Sequence, residues 1–305
     1  MDDSSWTVAG RSAMKSDFFD VPQTDYTTSC GVIQVPVFYQ RLAMRAINYF
    51  VEEDRVLPLL KDTGLLPVRY FNGKVLTTLT FFNYQEVSLS AYDEVVLSVS
   101  VYPEALGRPS FPSLKLLLGK SAKSWQNMGV YVVEMVVTIP EARAGGREIW
   151  GYPKFLTQIP SQLSADHFKF AVLDPDTQGP IVDVEGELGP GIPGRPFDMV
   201  TFGNHRDKIL RTVVEVDGKV KHRRCKQIEV KVAPTKHRMA ESLRALGLDT
   251  AKPFAVMTSD YLRTKLNAGT PVAEWKTPEP PYQYEEETEF YRSQREPMGE
   301  RAQAG

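Results

Sequence analysis

Lys154 stands inside an apolar stretch, GGREIWGYPKFLTQI over residues 145–159, in which Gly145-Gly146 reads as a turn leading into Arg147 and Glu148, and Ile149, Trp150, Tyr152, Pro153, Phe155 and Leu156 lie around the lysine. Lysines are seldom fully buried; they ordinarily lay the stem along apolar surface and keep the ammonium in water. On that reading Lys154 belongs to an edge strand. The other reading is a desolvated amine that serves as a nucleophile. With a reference pKa of ~10.4, only about one lysine in 2,500 is neutral at pH 7, and burial lowers that pKa by up to ~3–5. Lowering it by ~3.4, worth roughly 4.6 kcal/mol, makes half the amines reactive.

Other chemistry-bearing patterns are weaker. Gly189–Gly194, GPGIPG, is glycine-rich, but its two prolines lack the amide donors a phosphate cradle needs and no Lys-Ser/Thr follows, so a turn is expected. Lys219–Lys226, KVKHRRCK, places His222 and Cys225 at an H-x-x-C spacing. Two ligands make no metal site, and an exposed hairpin strand after Asp217-Gly218 accounts for the charges. The four histidines, His167, His205, His222 and His237, show no H-x-x-x-H pairing, and no G-x-S-x-G elbow occurs. Cys30 and Cys225 match neither a disulfide framework nor a paired-cysteine metal site.

The elements that must position Lys154 are mainly strands. The chain has 305 residues with 42% hydrophobic and 24% charged, an ordinary globular composition, and 22 Pro and 21 Gly suggest many turns between short strands. A net charge of -2 gives no field to attract nucleic acid or an anionic membrane. The N-terminus carries no apolar h-region and no later run is long enough to span a bilayer, so a soluble, cytoplasmic protein is expected. Residues 95–101, 182–188 and 228–232 alternate apolar and polar, as half-buried strands do. Gly129–Ile139, apolar apart from Glu134 and Thr138, reads as a central strand covered on both sides. Helix signals are fewer: Glu52–Leu60, limited by Pro58, and Lys236–Leu246, which a strand fits as well. Residues 1–30 read as an N-terminal arm, 31–275 as one domain, and 276–305 as a charged tail whose tyrosines and Glu285–Glu289 could dock on a neighbouring subunit.

Gly146, Arg147, Glu148, Tyr152, Pro153, Lys154 and Leu156 form a G-R-E-x-x-x-Y-P-K-x-L pattern that resembles the signature of the acetoacetate decarboxylase superfamily. Ala91-Tyr92-Asp93-Glu94-Val95 and Val216-Asp217-Gly218-Lys219 resemble the family's earlier acidic segment and its later hairpin, and the likeness covers residues 35–275. The resemblance implies a mainly β (α+β) fold, an antiparallel sheet curled into a cone-like β-barrel with a few peripheral helices, assembled into homo-oligomers. It implies Lys154 as the Schiff-base lysine and Glu94 as the active-site carboxylate. Arg147 and Glu148 take the motif's ion-pair positions, and Arg41 or Arg45 is a candidate to hold a substrate carboxylate through its planar fork. Tyr92, Trp150, Tyr152 and Phe155 are expected at the substrate. No metal or organic cofactor is expected, because the lysine imine is itself the electron sink.

One position departs from the pattern. Acetoacetate decarboxylase carries two consecutive lysines, the second helping to lower the pKa of the first, whereas here the second is Phe155. The resemblance therefore implies a Schiff-base lyase acting on a keto acid or polyketide-like ketone, with decarboxylation of a β-keto acid slightly favoured. The alternatives are an aldolase-dehydratase on pyruvate-like keto acids, in natural-product or other secondary metabolism, and a barrel that binds a small ligand without catalysis.

Overall fold

In the computed structural model, which describes residues 17–70, 72–109, 127–205 and 207–274, alternation along the strands sorts side chains onto two apolar layers. Strand β1 (Thr24–Thr28) pairs with β2 (Gly31–Val35) as a separate hairpin. The large sheet is built from β3 (Val37–Val51), β4 (Leu65–Pro67), β5 (Val75–Val87), β6 (Tyr92–Pro103), β7 (Gly129–Val137) and β8 (Lys154–Leu156), followed by β9 (Ser161–Leu163), β10 (His167–Leu173), β11 (Pro180–Gly194), β12 (Met199–His205), β13 (Lys208–Gly218), β14 (Val220–Val232), β15 (Ala255–Leu266) and β16 (Thr270–Glu274). Because β13 pairs with both β12 and β15, the order β3-β5-β6-β7-β12-β13-β15 returns to β3 and closes a seven-stranded barrel. Closure removes the open edges of these strands. Most pairs are antiparallel as expected, but β7 pairs in parallel with β12 and with β8.

One face of the barrel strands brings Tyr39, Leu42, Met44, Tyr84, Tyr92, Val132, Met135, Val137 and Leu262 into a single buried cluster. Strands far apart around the ring meet there, so this face is the lumen. The opposite face carries Ile47, Tyr49, Leu79, Phe81, Val95, Leu97 and Val99, which pack against β10 and β11 through Phe168, Phe170, Ile181 and Val184. Phe81 and Phe170 stack at 5.1 Å. Covering on both sides explains why Ser98 and Ser100 of β6 are buried although alternation with valines marks a half-exposed strand.

Short helices close the gaps. Helix α1 (Glu53–Val56) runs into a 3-10 turn at Leu57–Leu60, as Pro58 dictates. Helix α2 (Pro140–Trp150) starts with proline in its first turn and ends at Gly151, which adopts φ +66°. Helix α3 (Arg238–Ala245) resolves the helix-or-strand ambiguity, since Met239, Ala240 and Leu243 all bury on one side. Among the described residues no helix is long and apolar enough to cross a membrane.

Three local expectations are corrected. Gly145 and Gly146 form no turn; they lie within α2, where neighbours crowd the positions a Cβ would fill. Gly189–Gly194 is not a turn either. It continues β11 past register shifts beside Leu188, where a bulge accommodates the prolines. Asp217-Gly218 does not join a hairpin, because β13 and β14 run end to end along one edge of β15, whose other edge is taken by β3. The 276–305 tail and its docking role lie outside the described residues.

Glu134 of β7 is 1% exposed and faces α3, accepting from Arg238 Nε at 2.9 Å and Nη2 at 2.7 Å and from Ser242 Oγ at 2.9 Å. Burial pushes its carboxyl above the ordinary value, and Arg238 and Ser242 offset this only in part. A carboxyl raised by folding contributes stability below its unfolded pKa and loses it as pH rises through the folded one. Glu134→Gln is therefore expected to gain stability over wild type as pH rises from 4.5 to 7.5, since Arg238 is exposed enough to be hydrated. Urea midpoints at the two pH values measure this. A variant that loses ground as pH rises would mean that the ion pair outweighs the burial.

Candidate active site

The lumen side of β6, β8 and β3 assembles the site. In β6 the period of two sends Tyr92, Glu94 and Val96 inward and Asp93 and Val95 outward. Strand β8 pairs in parallel with β7, setting Lys154 opposite Met135 and Leu156 opposite Val137, both lumen residues. Lys154 Nζ consequently donates to Glu94 Oε2 at 2.7 Å, with both residues 5% exposed.

The lysine stem is held from behind. A Cβ on Gly146 would come within 2.3 Å of Lys154 Cδ, so α2 approaches the stem as closely as it does only because that residue is glycine. Arg147 Nε donates to the Lys154 carbonyl at 2.6 Å, fixing the backbone rather than the amine. Gly151 and Gly203 permit a second close approach, of the α2 terminus to β12.

Four tyrosines line the pair. Tyr84 donates to Glu94 Oε1 at 3.2 Å, and the Tyr39 and Tyr92 hydroxyls share a bond at 3.2 Å. Lys154 Nζ lies 6.0 Å from the centroid of the Tyr92 ring. Tyr152 bonds Thr201 Oγ1 at 2.6 Å. Burial, followed by neighbouring Glu94 and Tyr39, raises Tyr84 and Tyr92; Tyr152 is pushed up to about 12, first by burial. These phenols stay protonated at neutral pH and serve as hydrogen-bond groups, not anions.

Tyr92, Tyr152, Glu94 and Lys154 thus come together as expected, and Trp150 joins the same cluster with its indole donating to the Asn267 carbonyl at 2.8 Å. Other expected residues do not. Phe155 follows Lys154 on a strand and so points away, its ring 4.8 Å from that of His237. Glu148 is exposed on α2, and its carboxylate accepts from the Ser29 backbone amide and hydroxyl. Arg41 is exposed and lies 3.9 Å from Glu86. Arg45, although 2% exposed, alternates with the lumen residues Met44 and Ala46 and faces outward, bonding Asp260 and the carbonyls of Met44, Ser164 and Ser259. Two wider clefts, about 500 and 400 Å³, take in Arg41 with Arg45 and Asp93 with Leu156, and neither is lined by Lys154 or Glu94.

Tyr39 and Tyr84 were not singled out from sequence. A signal existed for Tyr84: β5 and β6 flank the short segment 88–91, and pairing across it sets Tyr84 directly opposite Tyr92.

Solved structures share this architecture. Acetoacetate decarboxylase from Legionella pneumophila subsp. pneumophila str. Philadelphia 1 is 13% identical, with a TM-score of 0.56 over 90% of this chain and 100% of that one. The acetoacetate decarboxylase-like enzyme from Sphingomonas wittichii RW1 is 11% identical, with a TM-score of 0.55 over 79% and 95%. The enduracididine biosynthesis enzyme MppR, complexed with the condensation product of pyruvate and imidazole 4-carboxaldehyde, is 11% identical, with a TM-score of 0.53 over 79% and 91%. No curated protein matches in sequence. The family model for acetoacetate decarboxylase matches residues 21–239, most of the barrel and the whole Lys154 motif, and the chain therefore belongs to the acetoacetate decarboxylase family.

Proposed function

We propose that the chain is a Schiff-base lyase that decarboxylates a β-keto acid through an imine on Lys154. The observation that carries this reading is the buried 2.7 Å contact between Lys154 Nζ and Glu94 in the lumen. Proton transfer along that hydrogen bond leaves a neutral amine and a neutral acid, and the amine adds to the substrate ketone. The carbinolamine loses water to give a protonated imine. The bond to the carboxylate then breaks, carbon dioxide departs, and the electron pair moves through the enamine onto the imine nitrogen. Glu94, having given its first proton to the departing water, takes up another from solvent and delivers it to the enamine carbon, and water hydrolyses the imine to free ketone and lysine. The buried, phenol-lined lumen favours the step that removes the carboxylate charge. No metal or organic cofactor enters this scheme.

A second reading has one supporting observation. MppR, similar in fold, is described with a pyruvate condensation product, which favours an aldolase-dehydratase that joins a pyruvate-like imine to an aldehyde. Both readings predict a borohydride-stable adduct on Lys154 with a keto acid, located by peptide mass. Absence of any adduct across a panel of β-keto and 2-keto acids would sink both. Carbon dioxide release without added aldehyde separates decarboxylation from the second reading.

Gly146→Ala tests how the lysine is positioned. Alanine favours a helix over glycine by about 1 kcal/mol, so the fold is expected to survive while the new methyl displaces the Lys154 stem. The rate of borohydride trapping is expected to fall on the order of 10²-fold, the usual cost of a misplacement near 1 Å. Trapping at the wild-type rate with an unchanged melting temperature would mean that the stem has room to shift.

A further inference from the structure

The lumen carries a second, purely apolar feature next to the lysine and glutamate. Across β6, β5 and β3 the register sets Glu94 opposite Phe82 and Phe82 opposite Met44, so these three side chains form one row on the inner face. Phe82 and Met44 also border a small cavity of about 20 Å³, whose other walls include Met257, Met199, Val216 and Phe197, the last in the segment that leads into β12. Thr264 is the one hydrogen-bonding side chain in its lining, and no charged group is present there.

We propose, resting on the Schiff-base reading, that this cavity receives an extended apolar chain or ring of the substrate, so that the preferred keto acid is one bearing several carbons beyond the ketone. Three observations support this. A second carboxylate or a hydroxylated chain would be desolvated in this lining with no partner, which is costly, whereas methylenes lose nothing. A short acid with its ketone at Lys154 has no need of the cavity, whose walls begin at Phe82, the cross-strand neighbour of Glu94. The space is narrow, but three of the walls that must move are methionines, whose unbranched thioether chains repack around irregular ligands more readily than branched residues do.

The test compares 3-oxobutanoate with 3-oxooctanoate, each trapped with borohydride at concentrations below saturation. The adduct is sought on Lys154 as the mass of the reduced acid or of the ketone left after loss of carbon dioxide. Each buried methylene is worth about a fourfold gain. Allowing for incomplete burial, the longer acid is expected to be trapped at least ~10-fold faster. Met257→Trp, which fills the cavity, is expected to bring the ratio of the two rates near one; Val216→Phe serves the same purpose if the tryptophan variant misfolds. Equal rates in the wild-type protein, with an adduct on Lys154 in both cases, would overturn the chain subsite and leave the Schiff-base reading standing. An adduct with neither of these acids, nor with pyruvate run beside them as a 2-keto acid, defeats the Schiff-base reading, and the subsite falls with it.

Discussion

Lys154→Arg is expected to lower turnover by a factor on the order of 10⁴ or more and to abolish the borohydride adduct. Arginine keeps the charge beside Glu94 and so preserves the partner of a buried carboxylate, but its guanidinium does not lose a proton in a protein and cannot attack a ketone. This makes Lys154→Arg a sharper probe than an alanine variant, which would leave Glu94 buried without its cation at a typical cost of ~3–5 kcal/mol. The companion variant Glu94→Gln retains a hydrogen-bond acceptor but not the proton shuttle. It is expected to lower turnover by about 10²–10⁴ while still yielding a Lys154 adduct at a slower rate. Full turnover in Lys154→Arg would place the chemistry elsewhere. A barrel that only binds ligands would show no turnover in the wild-type protein either.

The largest effect on stability is expected from Gly151→Ala. Gly151 ends α2 at φ +66°, and a Cβ there would fall 1.6 Å from the Asn204 carbonyl oxygen. The obstacle is backbone at the C-terminal end of β12, so no flexible side chain can move to relieve it. On the other side of the same junction, a Cβ on Gly203 would fall 2.2 Å from the Trp150 carbonyl. The α2 terminus and β12 thus pack backbone to backbone. Forcing them apart is expected to cost at least about 4 kcal/mol, lowering the melting temperature by roughly 10 °C or preventing folding. Because the three residues after Gly151 lead to Lys154, a variant that does fold is expected to lose trapping as well. Thermal unfolding followed by circular dichroism measures the first effect. A change below about 2 °C would show that α2 and β12 have slack.

Much of the site can be read in the linear chain, for identifiable reasons. Lys154 is conspicuous because a cation among Trp150, Tyr152 and Leu156 contradicts the hydrophobic pattern around it. Glu94 stands beside Asp93 at the start of the β6 alternation, and only the family resemblance singles it out. The strand content follows from the period of two in β6, β11 and β14, and the family pattern joins Glu94 to Lys154 although 60 residues separate them.

Which side of each strand faces the lumen depends on closure. Alternation divides β3 into two sets of side chains, but only pairing of β13 with β15 decides that Met44 looks inward and Arg45 outward. The same pairing keeps β13 and β14 from forming the hairpin that Asp217-Gly218 suggests. Phe155, adjacent to Lys154, is excluded from the site by the period of a strand that sequence alone leaves ambiguous. Gly145 and Gly146 resemble a turn until the Lys154 stem occupies the space beside the second.

Composition and motif by themselves determined that this chain is a β-rich protein with one apolar-embedded lysine and a carboxylate suited to it. The tertiary structure decided which groups surround that lysine: Tyr39, Tyr84, Tyr92 and Tyr152 inside, Arg41, Arg45, Glu148 and Phe155 elsewhere. The physical reason is that side-chain period is a local property of each strand, whereas the lumen exists only after seven strands have closed on one another.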